Sequence, residues 1–172
     1  MAATSRAKAS SKSRAAPVTD AITLLTADHA EARQLFDRFD ELCASHADAD
    51  SRQSLIENLC AVLTAHTMIE EELFYPAARQ SIENPQIVDQ AAEEHARAKE
   101  LIAQLVDASA GDALFNTRVR MLRDAVEQRA SVDEEGVFPQ VLESGIDLQA
   151  MAARMAARKE EILEVKRSEL AP

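Results

Sequence analysis

Apolar residues recur at three- and four-residue spacing along four long stretches of this chain, the period of a helix with one buried face. The first stripe reads Ile22, Leu25, His29, Ala32, Phe36, Phe39, and the second Leu59, Val62, Leu63, His66, Ile69, Glu70, Leu73. The third reads Val88, Ala91, His95, Ala98, Ile102, Leu105, and the fourth Phe115, Val119, Leu122, Val126, Arg129, Asp133, Val137. Each stripe is apolar except at one depth, and that depth is the same in all four.

Start and stop signals divide the chain consistently with these stripes. Thr19 or Asp20 after Pro17 caps the first helix, which is expected to end near Ser45. Asp50 with Gln53 makes a capping-box pattern for the second, and Asn84-Pro85 opens the third. Gly111-Asp112 separates the third from the fourth, and Gly145 with Asp147 precedes a last helix reaching about Arg167. Pro76 is expected to bend or interrupt the second helix, since it cannot donate a backbone hydrogen bond. Short linkers favour antiparallel neighbours. The expected fold is all-α: an antiparallel four-helix bundle over residues 18–144 with an additional C-terminal helix, 145–172, packed on or extending it.

Composition strengthens this reading. Glycine is scarce, tryptophan is absent and no β-branched run alternates with polar residues, so strands find no place. At 172 residues one domain with a real core is expected. The net charge of −11 is uneven: residues 1–17 hold Arg6, Lys8, Lys12 and Arg14 and no acid, leaving about −15 on the remainder. That balance argues against a nucleic-acid-binding body. The Ser/Ala-rich basic tail cannot bury enough to order itself and offers nucleic acid or an acidic partner only a weak hold. It lacks the apolar segment of a secretory signal, and no apolar run is long enough for a membrane span. Cys43 and Cys60 lack metal or redox spacing and read as reduced cysteines of a cytoplasmic protein.

The polar interruptions carry the chemistry. A buried imidazole or carboxylate is unfavourable unless it is paired or bound to a metal. Three histidines on three helices, His29, His66 and His95, share one depth with Glu70. His66 and Glu70 are i,i+4 neighbours, roughly 5–6 Å apart at Cβ, so both can approach one ion. Mixed imidazole and carboxylate donors suit iron, manganese or zinc, and the absence of a cysteine donor argues against structural zinc. His46, in SHADAD near a helix end, is expected to be exposed. Glu71, Glu72, Glu134 and Glu135 read as a solvated face from which one member could support or join the site, and Lys99 reads as an exposed lysine. Tyr75 is expected to shape the helix beside Pro76.

Two eleven-residue stretches echo each other: HTMIEEELFYP at 66–76 and RASVDEEGVFP at 129–139. With TADHAEARQLFDRF and EEHARAKELI they resemble successive signatures of the bacterial hemerythrin-like (HHE cation-binding) family, and SGIDLQAMAARMAARKEEIL resembles the last helix of its bacterial members. The resemblance spans residues 18 to about 165, and HxxxEEExFYP is its most specific piece. It implies a non-heme diiron centre within a four-helix bundle, with oxygen, nitric oxide or peroxide chemistry or iron sensing. By that resemblance His29 and His66 are ligands of one metal, Glu70 is a bridging carboxylate and His95 is a ligand of the second metal. On the fourth helix the bridging carboxylate falls at Asp133 or, one register along, at Glu134.

The fourth helix departs from the family pattern. The position four residues before Asp133 is Arg129, where the family carries histidine. A guanidinium has no lone pair to give a metal and keeps its charge. Three arrangements are open to Arg129: pairing with Asp133 or Glu70 in a site with fewer metals, replacing the metal charge entirely, or reaching solvent along its stem. The first is preferred, giving a mononuclear or weakened diiron centre. The expected function is a hemerythrin-like iron-binding protein that binds or reacts with O2, NO or peroxide. The alternatives are an iron-responsive sensor with a protein partner and a metal-free helical interaction module. Any enzymatic activity would be iron-dependent redox chemistry on a small oxygen or nitrogen species.

Overall fold

The computed structural model describes residues 20–170, and every long element in that range is helical. The basic tail expected at 1–17 lies outside the described residues. Helix α1 spans Ala21–Ala44 and α2 spans Ala49–Ile69. One π turn, Glu70–Phe74, joins α2 to the short α3, Tyr75–Ser81. Helix α4 spans Gln86–Val106 and α5 spans Phe115–Val132. A second π turn, Asp133–Val137, leads into α6, Phe138–Glu143, and α7 spans Leu148–Leu170. Around the bundle α1 packs beside α2 and α5, and α4 also lies beside α2 and α5, while α7 packs across α1 and α2.

The caps explain the boundaries, with small corrections to the sequence reading. Asp20 caps α1, its carboxylate accepting from the Thr23 amide at 2.8 Å. Asp48, not Asp50, caps α2 by accepting from the Ser51 amide at 2.7 Å. Gln53 is diverted from the expected capping box to the α4–α5 loop. There it accepts from the Ala110 amide at 2.8 Å and donates to the Ala108 carbonyl at 3.3 Å. Pro85 is itself the cap residue of α4, one position later than expected, and Asn84 donates its amide to Gln140. Asp112 closes a turn on Ser109 before α5 begins at Phe115. Gly145 takes φ +78°, which favours glycine, and Asp147 caps α7 by accepting from the Ala150 amide.

The echoing stretches share a backbone device. The Tyr75 amide donates to the Glu70 carbonyl and the Phe138 amide to the Asp133 carbonyl, each five residues back. Pro76 and Pro139 follow directly. Proline cannot donate to the carbonyl four residues earlier and its ring crowds that group, so each helix accommodates it with a wider turn.

Two apolar clusters fill the interior. One gathers Leu25, Ile69, Phe74, Val137 and Phe138 with Met151 and Met155 of α7. The other gathers Phe36, Phe39, Leu59, Leu105, Phe115 and Leu122. Burying side chains of this size stabilises the fold by roughly 1.5–3 kcal/mol each. Asp28, His29, His66, Glu70, His95, Arg129 and Asp133 are also buried, at the depth where the four stripes turn polar. Cys43 and Cys60 are free, with Cys60 buried and its thiol pushed up to about 12 by that burial. His46 is exposed in the turn after α1.

Candidate metal centre

Helices α1 and α2 and the first π turn bring His29, His66 and Glu70 together. Each offers a ligand atom within 4.8 Å of the others, and all three are buried. His66 Nε2 lies 3.3 Å from Glu70 Oε2, and His95 Nε2 reaches the same oxygen at 3.3 Å from α4. Two buried atoms of the group have no hydrogen-bond partner, His29 Nε2 and Glu70 Oε1. Such atoms normally find a partner, and here they are a neutral nitrogen donor and an anionic oxygen, a set that fits a divalent cation.

The three histidines are held alike. His29 Nδ1 meets Glu134 at 2.8 Å, His66 Nδ1 meets Asp28 at 3.3 Å, and His95 Nδ1 meets Glu71 at 3.2 Å. Each carboxylate in turn meets a cation: Glu134 meets Arg33, Asp28 meets Lys159 and Glu71 meets Lys99. A carboxylate on Nδ1 orients the ring and, when the ring is neutral, favours the tautomer whose Nε2 carries the free lone pair. Glu134 therefore sits on the outer side of His29, away from Glu70. Asp133 is the fourth-helix carboxylate that faces the core.

Asp133 is held by protein groups. Arg129 donates to it from Nε at 2.8 Å and also from Nη2, and donates from Nη1 to Glu94 at 3.0 Å. The guanidinium lies 5.5 Å from the centre of the Tyr75 ring, within cation–π range. The Tyr75 hydroxyl lies 3.1 Å from Glu70 Oε2 and 3.2 Å from both oxygens of Asp133, so its one hydrogen can serve either carboxylate. At the matching place after the second π turn Phe138 stacks on His29 at 6.0 Å.

Electrostatics follow from this packing. Burial alone would lower the His66 pKa, but Glu70 and Asp28 override it and lift the imidazole to about 10. Burial alone would raise Glu70, but His66 and His95 hold it well below the usual carboxylate range. Burial, then the charge of His66, lowers His29 and keeps its ring neutral. Burial and Glu70 push Asp133 up to about 6 against the pull of Arg129. Tyr75 is raised well above 10.0 by burial and the same two carboxylates.

The sequence stripes located His29, His66, Glu70, His95 and Asp133 in the polar layer; Tyr75 and Lys159 lie off them, and Asp28 falls on the period of α1 but takes its partners from other helices. Tyr75 lies five residues after Glu70, and only the π turn brings it to the inner face. Asp28 supports His66 across the helix pair, a contact no single-helix spacing reveals. Lys99 pairs with Glu71 while remaining about half exposed.

Beside these residues is a cavity of about 30 Å3, lined by His29, His66, His95 and Arg129 with apolar groups such as Val62 and Ile102. Among the described residues, no helix is long and apolar enough to cross a membrane. A search of curated proteins finds none that matches. Among solved structures, a crystal structure of a hemerythrin HHE cation-binding domain-containing protein from Mycobacterium kansasii superimposes with a TM-score of 0.70 at 21% identity. The alignment covers 86% of this chain and 90% of that one, and it establishes likeness of fold. Residues 20–141 match the family described as Hemerythrin HHE cation binding domain, which is most of the chain. With an all-helical bundle and a buried histidine–carboxylate layer, the chain belongs to the hemerythrin HHE cation-binding domain family.

Proposed function

We propose that the chain binds one non-heme iron ion between His29, His66 and Glu70 and presents it to a small ligand such as O2, NO or peroxide. The observation that carries this reading is the pair of unpartnered buried atoms, His29 Nε2 and Glu70 Oε1, within reach of His66. Bound iron would supply reversible ligand binding or one-electron chemistry that these side chains cannot perform alone. The chain's own residues hold the donors and limit what enters. The cavity admits a water or a diatomic molecule and is too small for an organic substrate.

A second iron is disfavoured at His95 and Asp133. Arg129 already supplies a fixed positive charge to Asp133, and an added cation would meet that charge at short range. In this reading Glu134 supports His29 rather than binding metal, while Asp133 and Tyr75 complete the polar wall behind Glu70. Arg129 also supports a second reading, a metal-free interaction bundle, because it neutralises Asp133 without any ion.

Anaerobic reconstitution with Fe(II), followed by elemental analysis and by absorption spectra with O2 or NO, separates these readings. One tightly held iron per chain with a ligand-dependent spectrum is expected. Two tightly held irons would overturn the mononuclear reading, and none would leave the interaction bundle.

A further inference from the structure

Of the three cations that brace the histidine-supporting carboxylates, two belong to the bundle and one does not. Arg33 is on α1 and Lys99 on α4, whereas Lys159 comes from α7. Its ammonium lies 2.5 Å from Asp28 Oδ1, and the other oxygen of that carboxylate meets His66 Nδ1 at 3.3 Å. Lys159 is mostly buried and Asp28 almost wholly so, which sets this contact apart from surface ion pairs. One residue away, Arg158 grips Glu72 with contacts of 2.7 and 3.1 Å, and Glu72 belongs to the π turn that carries Glu70. Neighbouring residues of α7 thus contact the two chain segments that supply metal donors.

We infer that Lys159 is a positioning residue for the metal centre, and that α7 must be docked for the centre to reach its full affinity. The inference rests on the proposed metal site. Asp28 has two oxygens; His66 uses one and Lys159 fixes the other, so the carboxylate has one orientation. Without Lys159 the buried Asp28 carboxylate would keep only His66 as a partner, and the chain would relieve the unpaired oxygen by turning Asp28 or admitting water. Either change frees the His66 ring from the orientation that aims Nε2 at Glu70. By linkage, metal binding must then favour docked α7 as much as docked α7 favours metal binding.

The test uses the full chain with Co(II), whose visible absorption reports coordination geometry. Lys159→Met should weaken Co(II) binding by about tenfold or more, the range for losing a group behind a ligand, and should shift the spectrum. Lys159→Arg retains the charge and should recover most of the loss. In the wild type, Co(II) should slow amide hydrogen exchange along α7. That measurement decides the matter even if Lys159→Met fails to fold. Unchanged affinity and spectrum in a folded Lys159→Met protein, or unchanged exchange in α7, would overturn the positioning role and leave the metal site standing. If the wild type binds neither Co(II) nor Fe(II), both readings fall.

Discussion

Arg129 and Asp133 stand one turn apart on the last bundle helix, joined through two guanidinium nitrogens at the level of Glu70. The pair is buried, and Asp133 has no exposed surface. Removing one partner of a buried ion pair typically costs about 3–5 kcal/mol because the other charge is left unpaired. Arg129→Leu should therefore destabilise the metal-free protein by about 3 kcal/mol at neutral pH in denaturant titrations. The loss should shrink at lower pH, where Asp133, pushed up to about 6, becomes neutral and needs no counter-charge.

Arg129→His tests the same relationship from the metal side. Imidazole offers a lone pair where guanidinium offers none, and it removes the fixed charge from Asp133. Iron content after anaerobic reconstitution should rise from about one toward about two per chain. Unchanged content would mean that something other than Arg129 limits the second position.

The Tyr75 hydroxyl lies between Glu70 and Asp133 with a single hydrogen to give. Hydrogen bonds to charged groups are worth about 1.5–3 kcal/mol, and this one also separates two carboxylates. Tyr75→Phe should lower the stability of the metal-free protein by about that amount while leaving its helical circular dichroism intact. A midpoint within error of wild type would show that water replaces the hydroxyl at no cost.

What the sequence made legible was what repeats along a helix. The apolar stripes foretold the bundle, and their shared polar depth foretold His29, His66, Glu70 and His95 beside one another. The π turns broke that regularity. Leu73 was expected on the inner face but is only half-buried, whereas Phe74 and Tyr75 are buried, because the wider turn displaces the pattern by a residue. Contacts between helices were also hidden. Asp28 falls on the buried period of α1, three residues after Leu25 and four before Ala32, but only α2 and α7 give it a role. The capping box at Asp50 failed for a similar reason, since Gln53 has better partners in a distant loop.

Glu134 and Asp133 are adjacent in sequence but differ in what they face, which separates their predicted contributions. Glu70→Gln removes the central anion and should abolish iron binding measured by elemental analysis. Glu134→Gln loosens the support behind His29 and should weaken Co(II) binding by about tenfold without abolishing it. Complete loss in Glu134→Gln would instead make that carboxylate a direct metal ligand.

The buried imidazoles give the metal-free protein and the metal complex opposite responses to alkali. His66 has its pKa raised from 6.5 to about 10, so its stabilising contribution is full below 6.5 and disappears as pH rises through 10. His29 is lowered, so its neutral state is favoured and protonation below 6.5 opposes folding. Glu70 and Asp28 are lowered too, and their contributions are lost as acid protonates them. Asp133 works the other way, losing its contribution as pH rises toward 6, and partly offsets the acid slope. Thermal stability of the metal-free protein should therefore peak near pH 6.5, the usual imidazole value, and fall toward pH 10. A metal ion competes with the proton on His66, so metal affinity should rise over that alkaline range. The increase in Tm produced by Co(II) should accordingly be larger at about pH 9 than at about pH 7, even as the metal-free Tm declines. His66→Leu should remove both slopes. If it retained the alkaline decline, the charge responsible would lie elsewhere than in the His66–Glu70–Asp28 group.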